Sequence, residues 1–380
     1  MKFTDCIEIV GSKPTLYEGT KQYVSTGAVE EYFINEKSIE EYSYKERPSR
    51  ADLVGKSGDI LFAKMAETKK TLILDKETEN YLFSTGFFAI RPKNGILTTK
   101  CLYYLLNSKN FLSQKDKNSS GATQKAITNA GLEKINVNIP LFSKQDQIVK
   151  QFDLLTDIIK KYQSQLKKLD SLIKSRFIEM FGDIIQNTKN WELKSFTEIA
   201  KSRLGKMLDS KKQTGKEKYP YLANFNVQWF RFNLENLNEM DFSEADRIEF
   251  ALKDGDLLVC EGGEVGRCAV WHNQIENCFF QKAVHRVRLN MDLVHPDYMA
   301  YWFKFRSDFN SFDDIVGSKA TIAHLTGEKL KLLQIPVPPL SLQNEFSSFV
   351  QQIDKSKFTV QKALEKTETL YKSLMQRYFA

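Results

Sequence analysis

Between Ile148 and Met180, apolar residues recur at alternating steps of four and three: Ile148, Phe152, Leu155, Ile159, Tyr162, Leu166, Leu169, Ile173 and Met180, with Arg176 as the one polar seam position. That spacing predicts a helix with a coiled-coil seam. A shift of 198 residues reproduces the stripe as Phe346, Val350, Ile353, Val360, Leu364, Tyr371, Leu374 and Tyr378, broken by Lys357 and Thr367. The start signals match as well: Ser143 with Asp146 follows Pro140, and Ser341 follows Pro338-Pro339, while Gly182 supplies a C-cap for the first stripe. Each stripe covers about 38 residues, roughly 57 Å of helix, which is longer than a small domain is wide. Such helices must project from their domains and pair with each other.

The duplication extends through the rest of the chain. Phe3-Thr4-Asp5 is echoed by Phe196-Thr197-Glu198, Tyr23-Val24 by Tyr221-Leu222, and Gly58-Asp59-Ile60-Leu61 by Gly255-Asp256-Leu257-Leu258. Gly121, Gly131 and Pro140 are answered by Gly317, Gly327 and Pro336. One repeat is thus half the chain, a duplicated domain with a helical tail. The boundaries fall at 1–142, 143–182, 183–340 and 341–380: domain, helix, domain, helix. Because domain termini usually lie close together, the second helix should start where the first ends and run back antiparallel. Short alternating runs (Gly58–Phe62, Tyr81–Ile90, Asp256–Cys260, Ala269–Trp271, Ala283–Leu289) mix with helical stretches (Thr99–Leu106, Pro296–Phe305), which predicts an α+β class. The expected architecture is two similar globular domains joined by two long antiparallel coiled-coil helices, with pseudo-twofold symmetry. Trp191-Glu192-Leu193 has no counterpart before Phe3, so the first domain is expected to lack one edge element.

Composition narrows the functional classes. Five widely spaced cysteines with no C-x-x-C, an N-terminus interrupted by Asp5 and Glu8, and no apolar run of about 20 residues imply a soluble, cytoplasmic protein with reduced thiols and no membrane association. No G-x-x-x-x-G-K-[ST] is present, and Glu261-Gly262-Gly263-Glu264-Val265-Gly266-Arg267 has glutamates where phosphate would need cations, so it reads as a hairpin turn. Cys260, Cys268, His272 and Cys278 have no tight ligand spacing, and the remaining histidines have no triad partners. We find no catalytic residues, no metal ligands, and neither a glycine-rich loop for a methyl donor nor an Asn/Asp-Pro-Pro-aromatic tetrapeptide for a flipped adenine.

The net charge of +7 is concentrated locally. Residues 201–218 carry seven cations against two anions: Lys201, Arg203, Lys206, Lys211, Lys212, Lys216 and Lys218, opposed by Asp209 and Glu217. Lys45, Arg47 and Arg50 form a smaller group, and Lys115, Lys117, Thr123, Gln124 and Lys125 another, with Lys319 and Thr321 as the counterparts of the last. Read as loops, these segments are either solvated or in contact with phosphate, and the amide and hydroxyl groups could also meet base edges.

The duplicated order of these features resembles the specificity subunit of type I restriction-modification systems. The resemblance runs through Ser57–Phe62 and its copy, Gly121-Ala122-Thr123-Gln124-Lys125-Ala126-Ile127, the prolines ahead of Gln145 and Gln343, and Ser175–Asp183. It implies a non-catalytic subunit whose two target recognition domains each read one half of a bipartite, asymmetric sequence in double-stranded DNA. It further implies two docked adenine-N6 methyltransferase subunits that carry S-adenosylmethionine, and restriction/translocase subunits in the full complex. This chain itself is expected to bind no cofactor. Two other classes fit parts of the sequence. A protein-binding coiled-coil scaffold accords with the balanced charge of residues 183–340, 21 Lys and Arg against 22 Asp and Glu. A nuclease accords with Glu192-Leu193-Lys194 and Asp209-Ser210-Lys211, but neither has the upstream Pro-Asp such a site needs.

Overall fold

The computed structural model describes the chain except residues 32, 210–212, 310, 311 and 313–323. Two compact units divide it: Met1–Ser164 with Val360–Ala380, and Gln165–Thr359. Each unit therefore combines one globular repeat with a stretch of both long helices, which run Phe142–Phe181 and Leu340–Phe379, 40 residues each.

The same scaffold is built twice. In the first unit an antiparallel sheet has the order Ile7–Val10, Phe87–Pro92, Ile60–Ala63, Thr71–Ile73. Its counterpart in the second unit is Ala200–Leu204, Val284–Leu289, Leu257–Cys260, Cys268–Val270. A second, three-stranded sheet also recurs, with Thr20–Val24 between Glu40–Ser43 and Leu82–Phe83, and Lys218–Leu222 between Asn238–Asp241 and Phe279–Phe280. The Glu261–Arg267 turn joins the paired strands Leu257–Cys260 and Cys268–Val270, as a hairpin connection should. The expected missing edge element is present in shortened form. Glu192–Ser195 pairs with Gln334–Val337 over four residues, whereas in the first unit Lys2 meets Asn136 in a single bridge, supported by reciprocal bonds between Met1 and Val137.

Each unit has a core between its sheets and another where the larger sheet meets the long helices, and the first unit adds a small cluster of Tyr23, Ala51 and Leu82. In the first unit the helical core joins Phe3, Phe62, Leu102 and Phe111 to Ile148, Phe152, Met375 and Phe379. In the second it joins Phe196, Val287, Tyr298 and Trp302 to Ile173, Phe177, Phe181 and Phe346. The beginning of the first helix thus packs on the end of the second in one unit, and the end of the first on the beginning of the second in the other. That pairing is antiparallel. Polar pairs agree with it: Asp170 meets Lys357 at 2.7 Å and Arg176 meets Glu345 at 2.8 Å, so the partner position retreats as the first helix advances.

Every seam position expected from the periodicity is buried or half-buried, and the residues between are mostly exposed. The strict heptad nevertheless understates the contact. Val149, Phe177, Phe181, Met375 and Phe379 are also buried, because near its ends each helix packs on its domain as well as on its partner. A wider apolar face results than a two-helix seam requires. The helices also begin one residue before the serines read as caps. The buried side chains of Gln145 and Gln343 do the joining instead. Gln145 donates to the Ile96 and Pro140 carbonyls, at 2.8 and 3.1 Å, and accepts from Thr98 N–H at 2.8 Å. Gln343 does the same with Leu293, Pro338 and His295. Gly182 ends the first helix at φ +75°, a conformation that favours glycine, and donates its N–H to Ile178.

Candidate nucleic-acid interface

The basic and polar residues fall into three groups when traced onto this scaffold. In the first unit, Lys45 and Arg50 are exposed on the loop after Glu40–Ser43, while Arg47 between them is committed to the protein. Its guanidinium donates to the Tyr44 and Ala51 carbonyls, meets Asp52 at 3.2 Å and lies over the Tyr44 ring. Together with Tyr44, Lys45, Pro48 and Ser49 it lines a shallow cleft. Lys13 and Arg47 hold the Asp52 carboxyl below the usual range. Arg47 therefore shapes this loop, leaving Lys45 and Arg50 as its outward cations.

The second group divides between a helix and a turn. Lys115 and Lys117 sit at the end of the helix Lys109–Lys117, not in a loop. Lys117 is exposed. Lys115 is not a surface cation, since its side chain is 2% exposed and its ammonium donates to the Met65 and Thr68 carbonyls at 2.8 and 2.6 Å. Burial pulls its pKa down, and no phosphate can reach it. Gly121–Lys125 forms an exposed turn closed by paired backbone bonds between Ser120 and Ala126, both 3.0 Å. Thr123, Gln124 and Lys125 lie on its surface.

In the second unit, Lys201 and Arg203 lie on a strand and Lys218 opens the next, so the connecting loop is shorter than the charge run. Strand pairing sets Lys201 opposite Arg288 and Arg203 opposite Arg286. Like charges directly across a ladder repel, and this row is balanced only in part: Arg288 bonds Asp256, Arg203 pairs with Glu249, and Arg286 donates to the Glu249 and Ala251 carbonyls. Burial, then the neighbouring Arg288, lowers the Arg286 pKa. Sequence reading overlooked Arg286 and Arg288, although the alternation Val284-His285-Arg286-Val287-Arg288-Leu289 carried the signal. Lys206 is half-buried and held by Asp246 and the Asp241 carbonyl, both at 2.6 Å. Asp241 in turn gathers the end of the connecting loop. Burial raises its pKa, but bonds from the Gly215 and Thr214 N–H groups and the Thr214 hydroxyl outweigh this and hold the carboxyl below the usual range. Lys216 and Lys218 remain exposed, while Lys211, Lys212, Lys319 and Thr321 lie outside the described residues.

Both units therefore present exposed cations, and the first adds the exposed Thr123 and Gln124 side chains. Among the described residues, no His, Cys, Asp and Glu cluster is arranged to hold a metal and no helix is long and apolar enough to cross a membrane. All five cysteines are buried, and burial pushes the Cys101 and Cys278 thiols up to about 12.

Comparison with known proteins accords with this duplication. The family described as type I restriction modification DNA specificity domain matches residues 8–168 and again 188–368. The chain is 22% identical over 346 residues to the type I restriction enzyme EcoKI specificity subunit of Escherichia coli (strain K12), covering 84% of this chain and 74% of that protein. The HindI specificity subunit of Haemophilus influenzae is 26% identical over 166 residues, covering 42% of this chain and 35% of that protein. Among solved structures, the type I restriction-modification S subunit from M. genitalium superposes with a TM-score of 0.58 at 13% identity, over all of this chain and 95% of that one. A chain from a structural study of complex assembly and conformational transition in a type I R-M system gives 0.60 at 18% identity, over 98% and 97%. At these identities the structural likeness shows the fold. The two matches to the family domain cover most of the sequence, and the chain belongs to the type I restriction-modification DNA specificity family.

Proposed function

We propose that this specificity subunit reads a bipartite, asymmetric site in double-stranded DNA, one half-sequence per unit, and carries no catalytic residues of its own. Methyl transfer to adenine N6 then falls to two methyltransferase subunits docked on the long helices, which hold S-adenosylmethionine, and cleavage to restriction/translocase subunits that join them in the cytoplasm. The observation that carries this reading is one scaffold built twice on two continuous 40-residue helices. A helix of that length spans about 60 Å, while one turn of duplex is about 34 to 36 Å, and on this reading the helices set the length of an unread spacer.

Mapping N6-methyladenine in host DNA, with and without this gene, tests the proposal. Deletion is expected to erase one two-part, interrupted motif. A one-heptad insertion in both helices adds about 10.5 Å, equal to about three base pairs, and is expected to lengthen the spacer while keeping both half-sequences. An unchanged methylation map after deletion would sink the reading. An unchanged spacer after insertion would remove the helices as its ruler.

A further inference from the structure

Lys115 is a buried charge in a protein whose other lysines mostly face water. Removing an ammonium from water is costly unless its donors are satisfied. Here two of its three N–H groups are taken by the carbonyls of Met65 and Thr68, at 2.8 and 2.6 Å, while the Asp116 carboxylate stands 3.9 Å away. Asp116 also accepts the Glu67 N–H at 2.9 Å. One helix end thus grips the segment 65–68 at three backbone groups.

That segment is the floor of the exposed turn. Ala66 N–H bonds the Lys125 carbonyl at 3.0 Å, Met65 bridges Ala126, and the Gln124 amide reaches the Met65 sulfur. The turn itself is tight: Gly121 has φ +141°, and a Cβ there would collide with the Gln124 carbonyl oxygen. The chain of support runs from Lys115 to the 65–68 segment to the turn, whose Lys125 and Gln124 side chains are exposed. By sequence the turn recurs in the second repeat at residues 317–321. Two units that read different half-sequences can share an element only for what the halves have in common, and the phosphodiester backbone is such a feature.

We propose that Lys115 is a positioning residue that holds the Ser120–Ala126 turn in place for contact with DNA phosphates in the first unit. The proposal rests on the reading of the chain as a DNA-recognition subunit. The test is a double-mutant cycle of Lys115→Met and Lys125→Ala in the complex with its methyltransferase subunits. Binding to mixed-sequence duplex DNA is measured across a range of salt concentrations. Lys125→Ala is expected to reduce the slope of log affinity against log salt by about one. Lys115→Met should reproduce that loss, and the double variant should match either single variant, because both remove one contact. Asp116→Ala loosens the same segment from an accessible position and should act in the same direction, so a Lys115 variant that fails to fold does not end the test. A merely structural role predicts lower thermal stability with the slope intact, or two effects that multiply, and either result overturns the proposal. If Lys125→Ala leaves binding unchanged while the wild-type complex binds DNA normally, the turn does not touch phosphate, and the proposal falls alone. If the wild-type complex binds no DNA, it falls together with the functional reading.

Discussion

The two units differ least where the globular repeat meets the long helices and most where side chains face outward. Gln145 and Gln343 make the same three bonds in the two units, and the buried Asp59 and Asp256 each tie a strand arginine, Arg91 or Arg288, to a backbone N–H, Lys56 or Lys253. The three-stranded sheet recurs as well, but the connections and outward side chains do not match. The link between the first strand of the larger sheet and the second sheet spans residues 11–19 in one unit and 205–217 in the other. The matching row of paired strand positions is Lys201, Arg203, Arg286 and Arg288 in the second unit but Glu8, Val10, Ala89 and Arg91 in the first. Duplication has preserved what mounts a domain on the helices and released what that domain shows to a partner. Determinants that distinguish the half-sequences are therefore to be sought among the unshared segments.

The comparison is sharpest within the helical cores. Phe152 is fully buried among Tyr104, Tyr371 and Phe379, with ring centroids 4.8 to 5.9 Å away, but its counterpart on the second helix is the smaller Val350. Phe152→Ala should cost about 4 kcal/mol and Val350→Ala about 2 kcal/mol. Denaturant unfolding measures the losses, and hydrogen exchange should place the first in residues 1–164 and 360–380. Equal losses would mean that the cores do not divide the load as their side chains suggest.

The glutamines make the opposite prediction, that the two units respond alike. Truncating either fully buried side chain removes the partner of one N–H and two carbonyls in a largely part-buried setting and leaves a space where the amide stood. Gln145→Ala and Gln343→Ala should each destabilise by about 3 kcal/mol, with little difference between them. A large difference in denaturation midpoint between the two variants would show that the matched bonds do not carry matched energy.

How much of this was legible in the sequence depends on whether an interaction is periodic or local. The long helices were readable because burial along one face forces apolar residues to recur at the helical repeat, and the duplication confirmed the register. The extra buried positions Phe177, Phe181 and Phe379 were not, since they face the domain, whose position no helical period encodes. Gln145 and Gln343 could be noticed as a repeated pair, but hydroxyl residues nearby gave a stronger capping signal for the same helix start. Lys115 was misread because residue type alone places a lysine in solvent; only the packing of the helix Lys109–Lys117 on the 65–68 segment reveals a satisfied, buried ammonium. Lys201 and Arg203 were found by charge, but their ladder with Arg288 and Arg286 required strand pairing between residues far apart in sequence.

That ladder yields the subtlest test of the comparison. If the cations are a phosphate contact peculiar to the second unit, Lys201→Ala should lower the salt slope of DNA binding by about one and weaken binding by about 1 kcal/mol at moderate salt. Both half-sequences of the methylated motif should stay the same, because phosphate contacts position a protein without reading bases. The converse change, Glu8→Lys, places a cation opposite Arg91 on the matching strand pair of the first unit. It should raise the slope only if that face also lies along the duplex. A response to Lys201→Ala without one to Glu8→Lys would mean that the duplicated scaffolds meet DNA with different faces. Responses of equal size and opposite sign would mean that the faces correspond and only their charges have diverged. No change from Lys201→Ala would return the ladder to a purely internal role, its arginines held by Glu249 and Asp256.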